Sequence, residues 1–163
     1  MNAVVSTPLL FDLMGLADAM TNCHEADALR CQLTPAQWAV LASHLQPLAL
    51  IAGQVLLKKG ALDRTVYFIE SGTLSAHYED EKSRLRMALI GAGTVVGEGS
   101  FFSHLPRKAT VTASSPCKVW CLNAMRFAEL SNRHSAVAQS LTLGIAGVLA
   151  KRVYHRQRRV AVT

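Results

Sequence analysis

The sequence predicts a mainly β fold with flanking helices, a barrel-like sandwich or jelly roll. Three observations predict it. Between Gln54 and Leu122, short runs of strand-forming residues recur at regular intervals, each separated from the next by glycine, serine or proline turn material. On both sides of that region the hydrophobic spacing changes to a helical period. The chain has 163 residues, 50% of them apolar and 17% charged, which is enough length and hydrophobicity to bury a core without staples.

In chain order, residues 1–33 read as an acidic-apolar helical lead whose apolar face packs on the body or on a partner. Thr34-Pro35 is a helix start, with threonine as cap and proline in the first turn. Trp38, Leu41, Ala42, Leu45 and Leu48 continue that helix to about Leu48, and Gly53 ends the element. Strands are expected at Gln54–Lys58, Thr65–Glu70, Thr73–Tyr78, Arg84–Ile90, Thr110–Ala113 and Cys117–Leu122. In the fourth of these, Leu85, Met87 and Leu89 alternate with Arg84, Arg86 and Ala88, which describes a half-buried strand. Asn123 can cap a short helix through Leu130, and a longer helix follows from Ser135 to about Arg158. Along it Val137, Leu141, Ile145 and Val148 form an apolar stripe, while Gly144 and Gly147 leave room for a close neighbour. The organisation expected is a single domain over 1–163: the lead (1–33), a helix plus β-roll (34–122) and C-terminal helices (123–163).

Net charge is +6, and its distribution is uneven. Glu129 is the last acid, and the six cations after it (Arg133, Lys151, Arg152, Arg156, Arg158, Arg159) account for the whole excess. Such a tail reads first as a helix end whose cations favour the helix dipole and solubility. Contact with nucleic acid or an acidic partner is the alternative, but no base-reading module accompanies the tail. The four cysteines (Cys23, Cys31, Cys117, Cys121) lack paired zinc-knuckle spacing and read as reduced thiols in or near the core. With no signal-peptide arrangement ahead of them, a cytoplasmic location is expected. Ser135 to Ala150 is too short and too rich in Gly, Ser and Gln to span a bilayer.

Most of the functional information lies between Gly97 and Ala109, Gly-Glu-Gly-Ser-Phe-Phe-Ser-His-Leu-Pro-Arg-Lys-Ala, running on into Thr110-Val111. It offers one acid, Glu98, and nine residues later one base, Arg107, behind a proline. A carboxylate accepts hydrogen bonds from sugar hydroxyls, and a guanidinium forks onto phosphate oxygens while staying charged at any working pH. Free amides at the start of a short helical turn add a further place for an anion. The chemistry suits a small ligand with a sugar hydroxyl at one end and a phosphate at the other. Candidate ligand-binding residues are Gly97, Glu98, Gly99, Ser100, Pro106, Arg107, Lys108 and Ala109.

This run resembles the phosphate-binding cassette of cyclic-nucleotide-binding domains, those of the catabolite activator (Crp/Fnr) family, protein kinase A regulatory subunits and gated channels. Gly97, Glu98, Pro106, Arg107, Ala109, Thr110 and Val111 fall in register with it. Upstream, Gly53, Leu56, Gly60, Asp63, Tyr67, Phe68, Ile69, Gly72 and Leu74 match the family's glycine-punctuated hairpins, so the resemblance extends from about Leu33 to Arg152. It implies a double-stranded β-helix, with the ribose 2′-hydroxyl on Glu98 and the cyclic phosphate on Arg107. It further implies a C-terminal helix that caps the nucleotide, by position through Tyr154, Arg156 or Gln157, and that pairs with its copy in a homodimer. Two positions depart from the pattern: Gly99 replaces a large aliphatic residue, and Lys108 stands where relatives have a small one.

The function expected is a non-catalytic sensor of cAMP or cGMP, needing no metal, that relays occupancy through its C-terminal helix to an effector protein not identified by the sequence. A regulatory module of Crp/Fnr-type transcription control is the expected setting, although the residues after that helix leave no room for a helix-turn-helix and direct DNA binding is not expected. The rival is a pseudo-sensor, a dimerisation module that kept the fold and lost the ligand. Enzyme and dinucleotide readings are excluded. Gly91, Gly93 and Gly97 lack the dinucleotide-fingerprint spacing and Pro106 forbids the helix that should follow. Neither the histidines nor Ser100 stand in a metalloprotease or nucleophile-elbow context.

Overall fold

In the computed structural model, residues 11–161 are described, with side chains through Arg156. Strands alternate between two four-stranded antiparallel sheets. The first has the order β1 (Gln46–Leu50), β8 (Cys117–Asn123), β3 (Thr65–Ser71), β6 (Val95–Val96). The second runs β2 (Val55–Leu57), β7 (Thr110–Ala113), β4 (Thr73–Glu79), β5 (Leu85–Gly91). This is the strand order of a jelly roll, as the glycine-spaced strands predicted, but the sheets do not close into a barrel. β6 is two residues long and pairs only with β3, so the first sheet ends before it can reach β5. The sheets instead pack face to face.

Period-2 alternation sends each strand of the first sheet two ways. Tyr67, Ile69, Val96, Cys117 and Val119 face the second sheet and meet Leu57, Leu74, Ile90 and Val111 in one apolar cluster. Val66, Phe68, Val95, Trp120 and Leu122 face outward and are covered by helices. These are α1 (Met14–Asn22), α2 (Pro35–Ala42), α4 (Ala124–Arg133) and α5 (Ser135–Ala161), and Val137, Leu141, Ile145 and Val148 of the predicted stripe are buried in that second cluster. Both predicted caps are present. Thr34 accepts from the Gln37 amide in a capping box, and Asn123 accepts from the Arg126 amide.

Four elements differ from the sequence expectation. The helix after Thr34 ends at Ala42, and Gln46–Leu50 is a strand paired with β8. Pro47 is the cause: it pushes Gln46 into the extended region, and its missing N–H is tolerated because β1 is an edge strand. The lead is helical only over Met14–Asn22. Beyond Cys23 it is irregular, with Arg30 donating to the carbonyls of Met20 (2.5 Å) and Cys23 (2.7 Å) that end α1. That segment crosses α5 where Gly144 lacks a side chain; a Cβ there would lie 2.7 Å from the Arg30 carbonyl. β6 was not foreseen, being too short to show a period, and β5, expected to be half-buried through Leu85, Met87 and Leu89, exposes all three at the edge of its sheet and buries Ile90.

Candidate functional site

The predicted cassette joins β6 to β7 and contains α3 (Glu98–Ser103), a six-residue helix. Gly97 caps it in the left-handed conformation (φ 87°), which only glycine adopts without strain. A Cβ on Gly97 would lie 2.8 Å from both Arg107 Nη1 and the Thr65 carbonyl, so glycine is required by space as well as by φ. Gly99, the second residue of α3, has nothing within 4 Å of a virtual Cβ. Ser100 is buried and Phe101 packs edge-on against Phe102 and Phe127, fixing α3 to α4.

Arg107 is 4% exposed. Its Nε donates to Asp63 Oδ1 (3.1 Å) and Nη2 to Asp63 Oδ2 (2.5 Å). Nη2 also donates to the Thr65 carbonyl (2.6 Å), and Nη1 to that of Gly97 (2.7 Å). Four of its five N–H groups are thus used within the protein, leaving one on Nη1. The backbone of Arg107 is equally fixed, its N–H donating to the Ala61 carbonyl and its carbonyl accepting from the Gly60 amide, both at 2.8 Å. The guanidinium therefore ties the end of the cassette back to its start, since Gly97 immediately precedes Glu98.

Glu98 is 8% exposed, and its Oε1 accepts from Arg152 Nη1 at 2.6 Å. Oε2 has no protein partner among the described residues. No sealed side-chain oxygen there lacks a partner, so Oε2 faces solvent and can accept from a ligand hydroxyl. Arg152, from α5, also donates to Asp27 Oδ2 (2.6 Å), Thr94 Oγ1 (2.9 Å) and the Val95 carbonyl (2.9 Å). Burial alone would push its pKa down; the Glu98 and Asp27 carboxylates reverse this and hold it above the ordinary arginine value.

The structure thus brings Gly97, Glu98, Ser100 and Arg107 together, with Ala109 half-buried against the inter-sheet cluster. It turns Pro106 and Lys108 out to solvent. Glu98 and Arg107 do not pair with each other: each has its own partner, Arg152 and Asp63. Of the residues expected to cap a base, Tyr154 and Arg156 are exposed on α5, and the side chain of Gln157 lies outside the described residues. Sequence reasoning missed the roles of Arg152, Asp27 and Thr94. Arg152 was counted among the tail cations, and nothing local distinguishes it from them. Asp63 was visible as a hairpin residue but not as the clamp on Arg107.

A buried acid, a buried base and a short helix start thus lie around one cassette between β6 and β7 of a jelly roll. The profile of the family described as "Cyclic nucleotide-binding domain" matches residues 48–134, and the chain belongs to that family. A cyclic nucleotide-gated potassium channel of Rhizobium etli is 31% identical over 97 residues, 60% of this chain and 26% of the channel. The cAMP-dependent protein kinase type II regulatory subunit of Drosophila melanogaster is 32% identical over 62 residues, 38% of this chain and 16% of that protein. The chain therefore spans about a quarter or less of the length of these curated relatives. Among solved structures, a cyclic nucleotide-binding domain from Methylobacillus flagellatus superimposes with a TM-score of 0.78 at 18% identity, over 90% of this chain and 81% of that one. Among the described residues no helix is long and apolar enough to cross a membrane.

Proposed function

We propose that this chain is a non-catalytic cyclic-nucleotide sensor, with cAMP the first ligand to test and cGMP the second. In this reading the ribose 2′-hydroxyl donates to Glu98. The cyclic phosphate accepts from the remaining Arg107 N–H and from amides at the start of α3, within the frame of Gly97, Gly99, Ser100 and Ala109. Pro106 shapes the return of the loop, and Lys108 adds a long-range positive charge at the rim. The observation that carries the reading is the 2.6 Å pair between Glu98 and Arg152, because it puts the sugar-reading acid and α5 on one residue pair. A ligand that engages Glu98 necessarily acts on the anchor of α5, and its effect on α5 is limited by its differential affinity for the two helix positions. Coupling of about 1–3 kcal/mol would be ordinary.

The output is a homodimer built on α5. Its exposed positions Ala136, Gln139, Leu143, Ala146, Ala150 and Val153 recur at alternating three- and four-residue steps, the spacing of a coiled-coil seam. The setting proposed is cytoplasmic, as one regulatory domain of Crp/Fnr-type transcription control acting through an effector. A second reading, the pseudo-sensor, draws on the four Arg107 N–H groups already used inside the protein.

Calorimetric titration with cAMP and cGMP, on the wild type and on Glu98→Gln and Arg107→Lys, separates them. Lysine keeps the charge but cannot reproduce the fork, and should weaken binding at least about tenfold, the lower range for one charged hydrogen bond. Folded, ligand-free wild type that takes up neither nucleotide would overturn the sensor and leave the scaffold.

A further inference from the structure

We infer that Asp27, in the lead and outside the 48–134 family match, is a positioning residue for the sugar-reading acid, acting through Arg152. The inference rests on the sensor reading. Asp27 Oδ2 accepts from Arg152 Nε at 2.6 Å, so the guanidinium is held at its stem end as well as at its two tips. With the plane fixed, Nη1 points at Glu98 Oε1 (2.6 Å), while Nη2 meets Thr94 Oγ1 and the Val95 carbonyl, both at 2.9 Å. The guanidinium fork has its two faces assigned, one acid on each side.

Two consequences follow for Glu98. Its carboxylate is oriented, so that Oε2 stays turned to solvent. Its charge is also only partly neutralised, because the Arg152 cation is shared with Asp27. Without the Asp27 carboxylate the guanidinium loses one of its four hydrogen bonds and the whole cation falls to Glu98, which makes Oε2 a weaker acceptor. Both changes reduce what a 2′-hydroxyl gains there, and neither touches the phosphate end. Asp27 is itself held in place. Leu29, two residues on, donates its amide to the Gly93 carbonyl (3.0 Å), just ahead of Thr94, and Arg30 lies on Gly144 of α5.

The test is the ratio of dissociation constants for 2′-deoxy-cAMP and cAMP, measured by calorimetry on the full chain. In the wild type that ratio should be about tenfold or more, the loss of a hydrogen bond to a charged acceptor. Asp27→Asn should bring it several-fold closer to unity by weakening cAMP and leaving 2′-deoxy-cAMP nearly unchanged. Asp27→Glu should restore much of it, and in an Arg152→Gln background Asp27→Asn should leave the ratio unchanged, because the route through Arg152 is then gone. Equal weakening of both nucleotides by Asp27→Asn, or an unchanged ratio, overturns the inference and leaves Asp27 a structural anchor. A wild type that binds cAMP without discriminating the deoxy analogue overturns the role of Glu98 instead. Melting curves of every variant show whether a change comes from unfolding.

Discussion

Replacing Gly97 by alanine tests the cassette where conformation, packing and binding meet. The residue sits at φ 87°, and an L side chain in the left-handed region costs about 1–2 kcal/mol. The added methyl would lie 2.8 Å from Arg107 Nη1 and 2.8 Å from the Thr65 carbonyl. The guanidinium end is flexible in principle, but here it is held to Asp63, Thr65 and Gly97, and the Thr65 carbonyl belongs to β3 and cannot retreat. Overpacking of this kind costs about 1–3 kcal/mol, giving a combined loss of about 2–5 kcal/mol. For a chain of this size that corresponds to a fall of roughly 5–15 °C in melting temperature. Gly99→Ala is the control two residues away: it has open space and no positive φ, and lies within a helix, where alanine gains up to about 1 kcal/mol. Urea denaturation and thermal melts of both variants, with cAMP titrations alongside, decide the matter. A Gly97→Ala protein that melts within about 2 °C of wild type and keeps its affinity would refute the geometric argument.

Three further outcomes are expected. Leu143→Glu, which places a charge on the exposed seam of α5, should convert a dimer to monomer in sedimentation runs while leaving the chain folded; an unchanged mass would remove the seam from the interface. The Asp80 carboxylate accepts from the Arg84 amide, the Arg86 side chain and the Lys82 amide, which holds its pKa well below the usual carboxylate range. Since the folded value lies below the unfolded one, its support of the β4–β5 turn is present above about pH 4 and is lost as pH falls toward the depressed value. Hydrogen exchange at the Lys82 and Arg84 amides should therefore accelerate only in strong acid, and at every pH in Asp80→Asn. Burial pushes the Cys31 and Cys121 thiols up to about 11, so neither should react rapidly with a disulfide reagent at pH 8, and both should do so after unfolding. A fast-reacting Cys121 in native protein would contradict the packing around it.

Much of the fold was legible because its signals are local. Thr34 with Pro35 behind it and Asn123 announce helix starts, and glycines mark the turns between strands. Where local signals compete, the reading failed. Leu48 continued a helical spacing from Leu45, yet Pro47 decided for an edge strand, because a proline ring cannot sit inside a helix but can sit where no ladder partner is needed. The sandwich itself was legible, but whether its sheets meet was not: the lengths of edge strands, not the existence of strands, decide closure, and β6 has only two residues.

By itself the sequence determined the cassette, because Gly97, Glu98 and Arg107 lie within one short loop whose conformation is set by a glycine, a proline and neighbouring amides. Only the tertiary structure decided what those groups are bonded to. Asp63 lies 44 residues from Arg107, Glu98 lies 54 from Arg152, and Asp27 lies 125 from Arg152. A carboxylate and a guanidinium so far apart in the chain leave no periodicity or spacing to read. They meet because two sheets and the helix packed on them bring their side chains within hydrogen-bond reach.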